Sequence, residues 1–220
     1  APAARQDKPG GRVLMLGPGQ HVLSFSAEGY IGQTLFVTLP PAAGLELKLE
    51  REASRLVRLG NAGTGGQPKS LAFAPDGKLL FCALLEGRGV EVIGLDGLAV
   101  ERTLQPPAPW AAQEGFVEMA VLPGRGELWV TQMTTTMAHV FRLSDLAHLA
   151  SFSTGGCWPK VITVSPDEKT AFVSNWESKD ISVIDVDSRS VSGRIAVGGI
   201  PRGMTLSRDG ASLYVCLFDR

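Results

Sequence analysis

From about Ser54 to the end, short apolar stretches with alternating polar positions are separated by tight turns. This pattern predicts β-strands with one buried face, and no segment sustains the 3.6-residue apolar period of a helix. The turns are Ala74-Pro75-Asp76-Gly77, Leu122-Pro123-Gly124, Ser165-Pro166-Asp167-Glu168 and Ser207-Arg208-Asp209-Gly210, and their second residues stand 48, 43 and 42 positions apart. Periods of that size mark a repeat architecture. Pro fixes φ early in such a turn, whereas Asp and Gly suit its later positions, so the recurring Asp76, Asp167 and Asp209 read as turn residues and not as a functional set.

An apolar strand follows each turn at matching offset: Leu80-Phe81-Cys82, Leu128-Trp129-Val130, Ala171-Phe172-Val173 and Leu213-Tyr214-Val215. Another precedes each turn, at Ser70–Phe73, Met119–Leu122, Val161–Val164 and Gly203–Leu206. Two more lie downstream, as at Ile181–Val186 and Val191–Val197. Four strands per repeat is the composition of a β-propeller blade. The segments Phe172-Val173-Ser174-Asn175, Leu213-Tyr214-Val215-Cys216 and Leu128-Trp129-Val130-Thr131, with the preceding Gly-x-Pro and Ser-Pro-Asp-Gly elements, resemble the YVTN family of propeller repeats over roughly residues 54–220. The second repeat departs most: Phe116 stands where the others have Pro, after a longer insert, Gln105–Gly115.

The first fifty residues fall outside the repeat. Gly19–Tyr30 reads as a turn, an alternating strand and a Gly turn; Thr34–Leu39 and Leu45–Glu50 alternate as well, around Pro40–Gly44. The string from Gly19 to Tyr30 resembles the PEGA-type domain, and that resemblance implies a spacer or adhesion module of a bacterial envelope protein. His21 lies inside the pattern at a strand start and reads as structural. The expected fold is therefore all-β: a small β-sandwich-like module, then a partial β-propeller of about 3.5 four-stranded blades. The expected boundaries are 1–10 for a leader or linker, 11–52 for the PEGA-like module and 53–220 for the blades. The resemblance implies a ring of more blades than the chain supplies. The expectation is thus a fragment, or a ring completed in trans; closure of a four-bladed ring through Ser54–Leu59 is the alternative. The opening Ala1-Pro2-Ala3-Ala4, without an initiator Met, fits a processed chain or a piece of a longer one.

Composition changes this picture little. A formal net charge of −1 gives no global basic field for nucleic acid or anionic membrane. No apolar run is long enough to cross a bilayer as a helix. The three cysteines, Cys82, Cys157 and Cys216, include no Cys-x-x-Cys pair and suggest neither a disulfide framework nor a zinc site; Cys82, among apolar residues, reads as a small buried hydrophobe.

Candidate chemistry is sparse. His139 and His148 flank one expected strand and read as solvated or turn residues. No paired-His motif, nucleophile elbow or phosphate-binding loop occurs, and no catalytic residue, metal site or cofactor is implied. One repeat position differs. Pro68-Lys69, Pro159-Lys160 and Pro201-Arg202 coincide, with Phe116-Val117 in the second repeat. In a propeller this position borders the central channel, together with the loops carrying Trp110, Trp158, Asn175 and Trp176. Cations and aromatics on one rim are what interfaces enrich. The expectation is a binding or scaffold protein of the cell envelope or extracellular space, whose rim takes a protein or a small anionic or carbohydrate ligand, and whose open ring self-associates. The alternative is a propeller enzyme, lactonase-like or quinoprotein dehydrogenase-like, whose catalytic residues lie mostly outside this chain.

Overall fold

The computed structural model describes the backbone of residues 5–8, 11–14, 19–25 and 33–39, and residues 60–220 with their side chains. The chain divides into two compact units, Ala1–Leu59 and Gly60–Arg220.

In the first unit, β1 (Arg5–Lys8) pairs antiparallel with β2 (Gly11–Leu14), and β3 (Gly19–Phe25) with β4 (Gln33–Leu39). His21 sits on β3 opposite Val37. β1 falls within 1–10, the segment expected as a leader or linker. Arg5 pairs with Leu14 and Lys8 with Gly11, so four residues of each strand form a short ladder. The strands expected at Leu45–Glu50 and Ser54–Leu59 lie outside the described residues.

The second unit is all antiparallel β. Its sheets are β5–β8 (Pro68–Phe73, Leu79–Leu84, Val90–Gly94, Ala99–Leu104), β9–β12 (Phe116–Leu122, Glu127–Gln132, Met137–Arg142, His148–Ser153), β13–β16 (Pro159–Val164, Thr170–Asn175, Asp180–Asp185, Ser190–Ala196) and the two-stranded β17–β18 (Pro201–Leu206, Leu213–Leu217). Within each sheet, neighbours in sequence are neighbours in space. The only helical segments among the described residues are two short 3-10 turns, Trp110–Ala112 and Met133–Thr135.

The turns act as their residues require. The N–H groups of Gly77, Glu168 and Gly210 donate to the carbonyls of Ala74, Ser165 and Ser207 at 2.9 Å, all three with φ between 54° and 72°. The carboxylates of Asp76, Asp167 and Asp209 accept the N–H two residues on, at 3.0–3.1 Å. This local hydrogen bond explains the recurring Asp.

Adjacent sheets pack face to face. Phe81, Val92 and Ala83 of the first meet Phe116, Leu128, Val130 and Phe141 of the second. On its opposite face the second sheet presents Trp129 and Val140 to Ile162, Val173 and Ile184 of the third. Alternation along β10 therefore feeds two cores, one residue to each in turn. The first strands of successive sheets lie side by side, β5 by β9, β9 by β13 and β13 by β17. Any residue repeated at their starts is thereby brought to one place.

Candidate functional site

Lys69, Lys160 and Arg202 are each the second residue of a first strand, after Pro68, Pro159 and Pro201. Pro has no N–H to give a ladder and suits a strand's first position. Directly after it the register breaks in each sheet, between Pro68 and Ser70, Pro159 and Ile162, and Pro201 and Gly203. The second sheet breaks at the equivalent place, between Val130 and Gln132 opposite β9. Such bulges re-aim a side chain locally. Four times, the strand start is bent where its charged residue stands.

The structure brings two of the cations, Lys160 and Arg202, to Trp176, and the charge of Lys69 is felt at Lys160. Lys160 Nζ lies 4.1 Å from the centre of the Trp176 ring and Arg202 Cζ 5.7 Å from it, distances at which the ring face attracts a cation. Phe218 packs against the same indole at 4.9 Å. The Trp176 backbone N–H donates to the Trp158 carbonyl at 2.9 Å, which fixes the loop carrying it.

Glu118, absent from the sequence expectations, completes the group. Its N–H donates to Thr131 Oγ1 at 3.3 Å, and the Thr131 hydroxyl donates to the Lys160 carbonyl at 2.7 Å, joining β9 to β13. Burial pushes the Glu118 carboxyl above its ordinary range, against the pull of Arg202, Lys69 and Lys160. Burial also lowers the Lys160 ammonium, as do the charges of Arg202 and Lys69, while Glu118 raises it. Glu118 follows Val117, the residue at the repeat position of the cations, so inspection one residue further along the second repeat would have found it.

The other candidates separate. Trp158 is exposed, with φ of 57°. Asn175 is fully buried, its amide N–H donating to Asp180 Oδ1 at 3.0 Å and Ser182 Oγ at 2.8 Å. A Cβ at Gly156 would collide with that amide, so the side chain is enclosed. Asn175 braces the β14–β15 hairpin.

Trp110 belongs to a different group. Its ring stacks at a tilt on His139, 5.9 Å between centres, and its carbonyl accepts from Gln132 Nε2 at 3.2 Å. His139 is fully buried on β11, contrary to the expectation of a solvated or turn residue. His139 occupies an inward position of the strand, with polar partners waiting: Gln132 Oε1 at 2.9 Å from Nε2 and Ser151 Oγ at 2.8 Å from Nδ1. Because Gln132 Nε2 donates to the carbonyls of Trp110 and Gln113, its Oε1 must accept from His139, which places the imidazole proton on Nε2. Burial, and then the charge of His148, lowers the His139 pKa to about 3. This neutral imidazole ties the Gln105–Gly115 insert to the second sheet. Cys82 is buried, its thiol pushed up by burial.

Among the described residues, no three His, Cys, Asp or Glu are grouped to hold a metal ion, and no helix is long and apolar enough to cross a membrane.

No protein-family model matches the chain. The chain is similar to antigen Lp49 of Leptospira interrogans serogroup Icterohaemorrhagiae serovar copenhageni (strain Fiocruz L1-130), with 34% identity over 197 residues, covering 89% of this chain and 43% of that protein. It therefore spans less than half the length of this relative. Among solved structures it is similar to the hydrazine synthase of Kuenenia stuttgartiensis, with a TM-score of 0.60 and 25% identity over 70% of this chain and 44% of that one. It also shares its fold with a functionally unknown protein from Desulfotomaculum acetoxidans DSM 771, with a TM-score of 0.57 and 20% identity over 70% of this chain and 50% of that one.

Proposed function

We propose that the chain is a non-enzymatic binding protein of the bacterial cell envelope or surface. In this reading a PEGA-like module precedes a YVTN-type β-propeller, and the propeller recognises a partner or ligand where its first strands meet. The observation that carries it is the meeting of Lys160 and Arg202 over Trp176, with the charge of Lys69 felt beside them at Glu118. Cations beside an aromatic ring are the side chains that interfaces enrich.

The strand order of each sheet and the side-by-side first strands support a propeller, in which the first strand of each blade lines the channel. Similarity to a leptospiral antigen supports the surface location. Exposed Leu71 and Phe73 on the first sheet, and Tyr214 and Phe218 at β18, support an incomplete ring whose open faces take further repeats or a second copy. The likeness to hydrazine synthase favours the alternative, an enzyme whose catalytic residues lie mostly outside this chain.

Fractionation of the source cells, with antibody labelling before and after lysis, tests the location. Recovery with the envelope, or labelling of intact cells, is expected; recovery in the cytosol contradicts the proposal. Turnover of a lactone or an electron-acceptor dye by the purified protein would transfer the case to the enzyme reading.

A further inference from the structure

The first strand of each of four successive sheets carries a charged residue near its start, three of them cationic, and two of these meet over Trp176. We propose that Lys69, Lys160 and Arg202 form a binding site for a doubly charged anionic group, a phosphate monoester or a pair of neighbouring carboxylates, with Glu118 as a built-in counter-charge that moderates affinity. The inference rests on the rim-binding reading and deepens it.

The first argument is a contrast in pairing. Arg125, Arg142, Lys179, Arg189 and Arg194 all have a carboxylate oxygen within 4.0 Å, whereas none of the three site cations has one among the described residues. Among the described cations without such a partner, Lys160 and Arg202 share one aromatic ring.

The second argument is the cost of that gathering. Like charges held near one another disfavour their charged forms, and Lys160, half-buried, feels both Arg202 and Lys69. An anion seated among them removes the repulsion and supplies the missing partners. Three cations against one carboxylate leave two positive charges, which a dianion matches and a monoanion does not.

The third argument is preorganisation. Trp176 holds Lys160 and Arg202 against its ring, and the Thr131 hydroxyl locks the Lys160 backbone to β10. A ligand therefore has little side-chain ordering to impose. Beside Lys69, the Ser70 hydroxyl is shielded and has no hydrogen-bond partner. Ser70 is the third residue of β5, as Glu118 is of β9.

The test is calorimetric titration of the purified protein at low ionic strength with inorganic phosphate, phenyl phosphate and propane-1,2,3-tricarboxylate. Saturable one-to-one binding of at least one probe is expected, and the probe that binds names the group as phosphate or carboxylate. Lys160→Gln and Arg202→Gln should each weaken binding by about tenfold or more, the scale of one charge-assisted hydrogen bond. Glu118→Gln should tighten it severalfold, and Lys160→Arg should retain it. Arg208→Gln, in the turn after β17, removes the same charge outside the site and should leave binding unchanged. Should Lys160→Gln not fold, Glu118→Gln and Lys160→Arg decide. No saturable binding of any probe, or equal losses in Lys160→Gln and Arg208→Gln, overturns the site. An envelope location without anion binding would sink this site alone, whereas cytosolic recovery with anion binding would sink only the localisation.

Discussion

The strands β10 and β18 occupy the same place in the repeat and differ in almost everything that surrounds them. Leu128-Trp129-Val130 and Leu213-Tyr214-Val215 follow the same turn at the same offset. Yet every residue of Glu127–Gln132 is buried, whereas Leu213–Leu217 alternates between half-buried and exposed. Trp129 is 0% exposed and Tyr214 62%. Among the described residues, the first has a sheet on either face and the second does not. Pattern decides that a strand forms and which way its residues point; neighbours decide what that orientation is worth.

The contrast is broken most severely at Trp129. Its ring packs edge-on against Phe152 at 5.0 Å, and its Nε1–H donates to Glu127 Oε2 at 2.8 Å. Trp129→Ala should cost about 3–5 kcal/mol, read as a lower urea midpoint at unchanged slope, and it also removes the indole donor to Glu127 Oε2. A loss no larger than that of Tyr214→Ser would erase the difference between the strands.

Acid should reach the packed sheet through His139. Its folded pKa of about 3 lies far below the ordinary 6.5, so the unfolded chain binds a proton between these values that the folded one refuses. Stability contributed by this group is full above pH 6.5 and falls as pH drops toward 3. The loss between pH 7 and pH 5 is about 2 kcal/mol for one such group. Chemical unfolding at the two pH values, in the protein and in His139→Gln, measures it; an equal pH dependence in both contradicts the assignment.

A smaller effect is expected at the turns. Gly77 has φ of 69° with open space around its Cβ position, so Gly77→Ala should cost about 1 kcal/mol through backbone strain alone. Smallest of all should be Tyr214→Ser, within about 0.5 kcal/mol as for other surface changes. A larger cost there would mean that the face of β18 is covered in solution, and light scattering would then show a second copy.

Much of this molecule was legible in the sequence. Turn spacing located the four first strands, and Asp76, Asp167 and Asp209 act locally as expected. The cations at Lys69, Lys160 and Arg202 could be aligned because a repeat converts sequence offset into spatial proximity. What could not be read depends on residues that break the repeat. Glu118 lies one position beyond the aligned residue, at a bulge that changes which side chain faces the site. His139 looked like a loop residue because its partners, Gln132 and Ser151, come from the two neighbouring strands. Asn175 and Trp176 are adjacent in sequence, yet one turns into the sheet and the other meets the cations. Only side-chain direction separates them.

The convergence of the four charged residues is tested most directly by titrating the Lys160 ammonium by NMR, in the protein and in single variants of its neighbours. Its pKa should lie below the ordinary lysine value, rise in Lys69→Gln and Arg202→Gln, and fall further in Glu118→Gln. A Lys160 that titrates like a free lysine and ignores all three substitutions would show that these residues do not share a site.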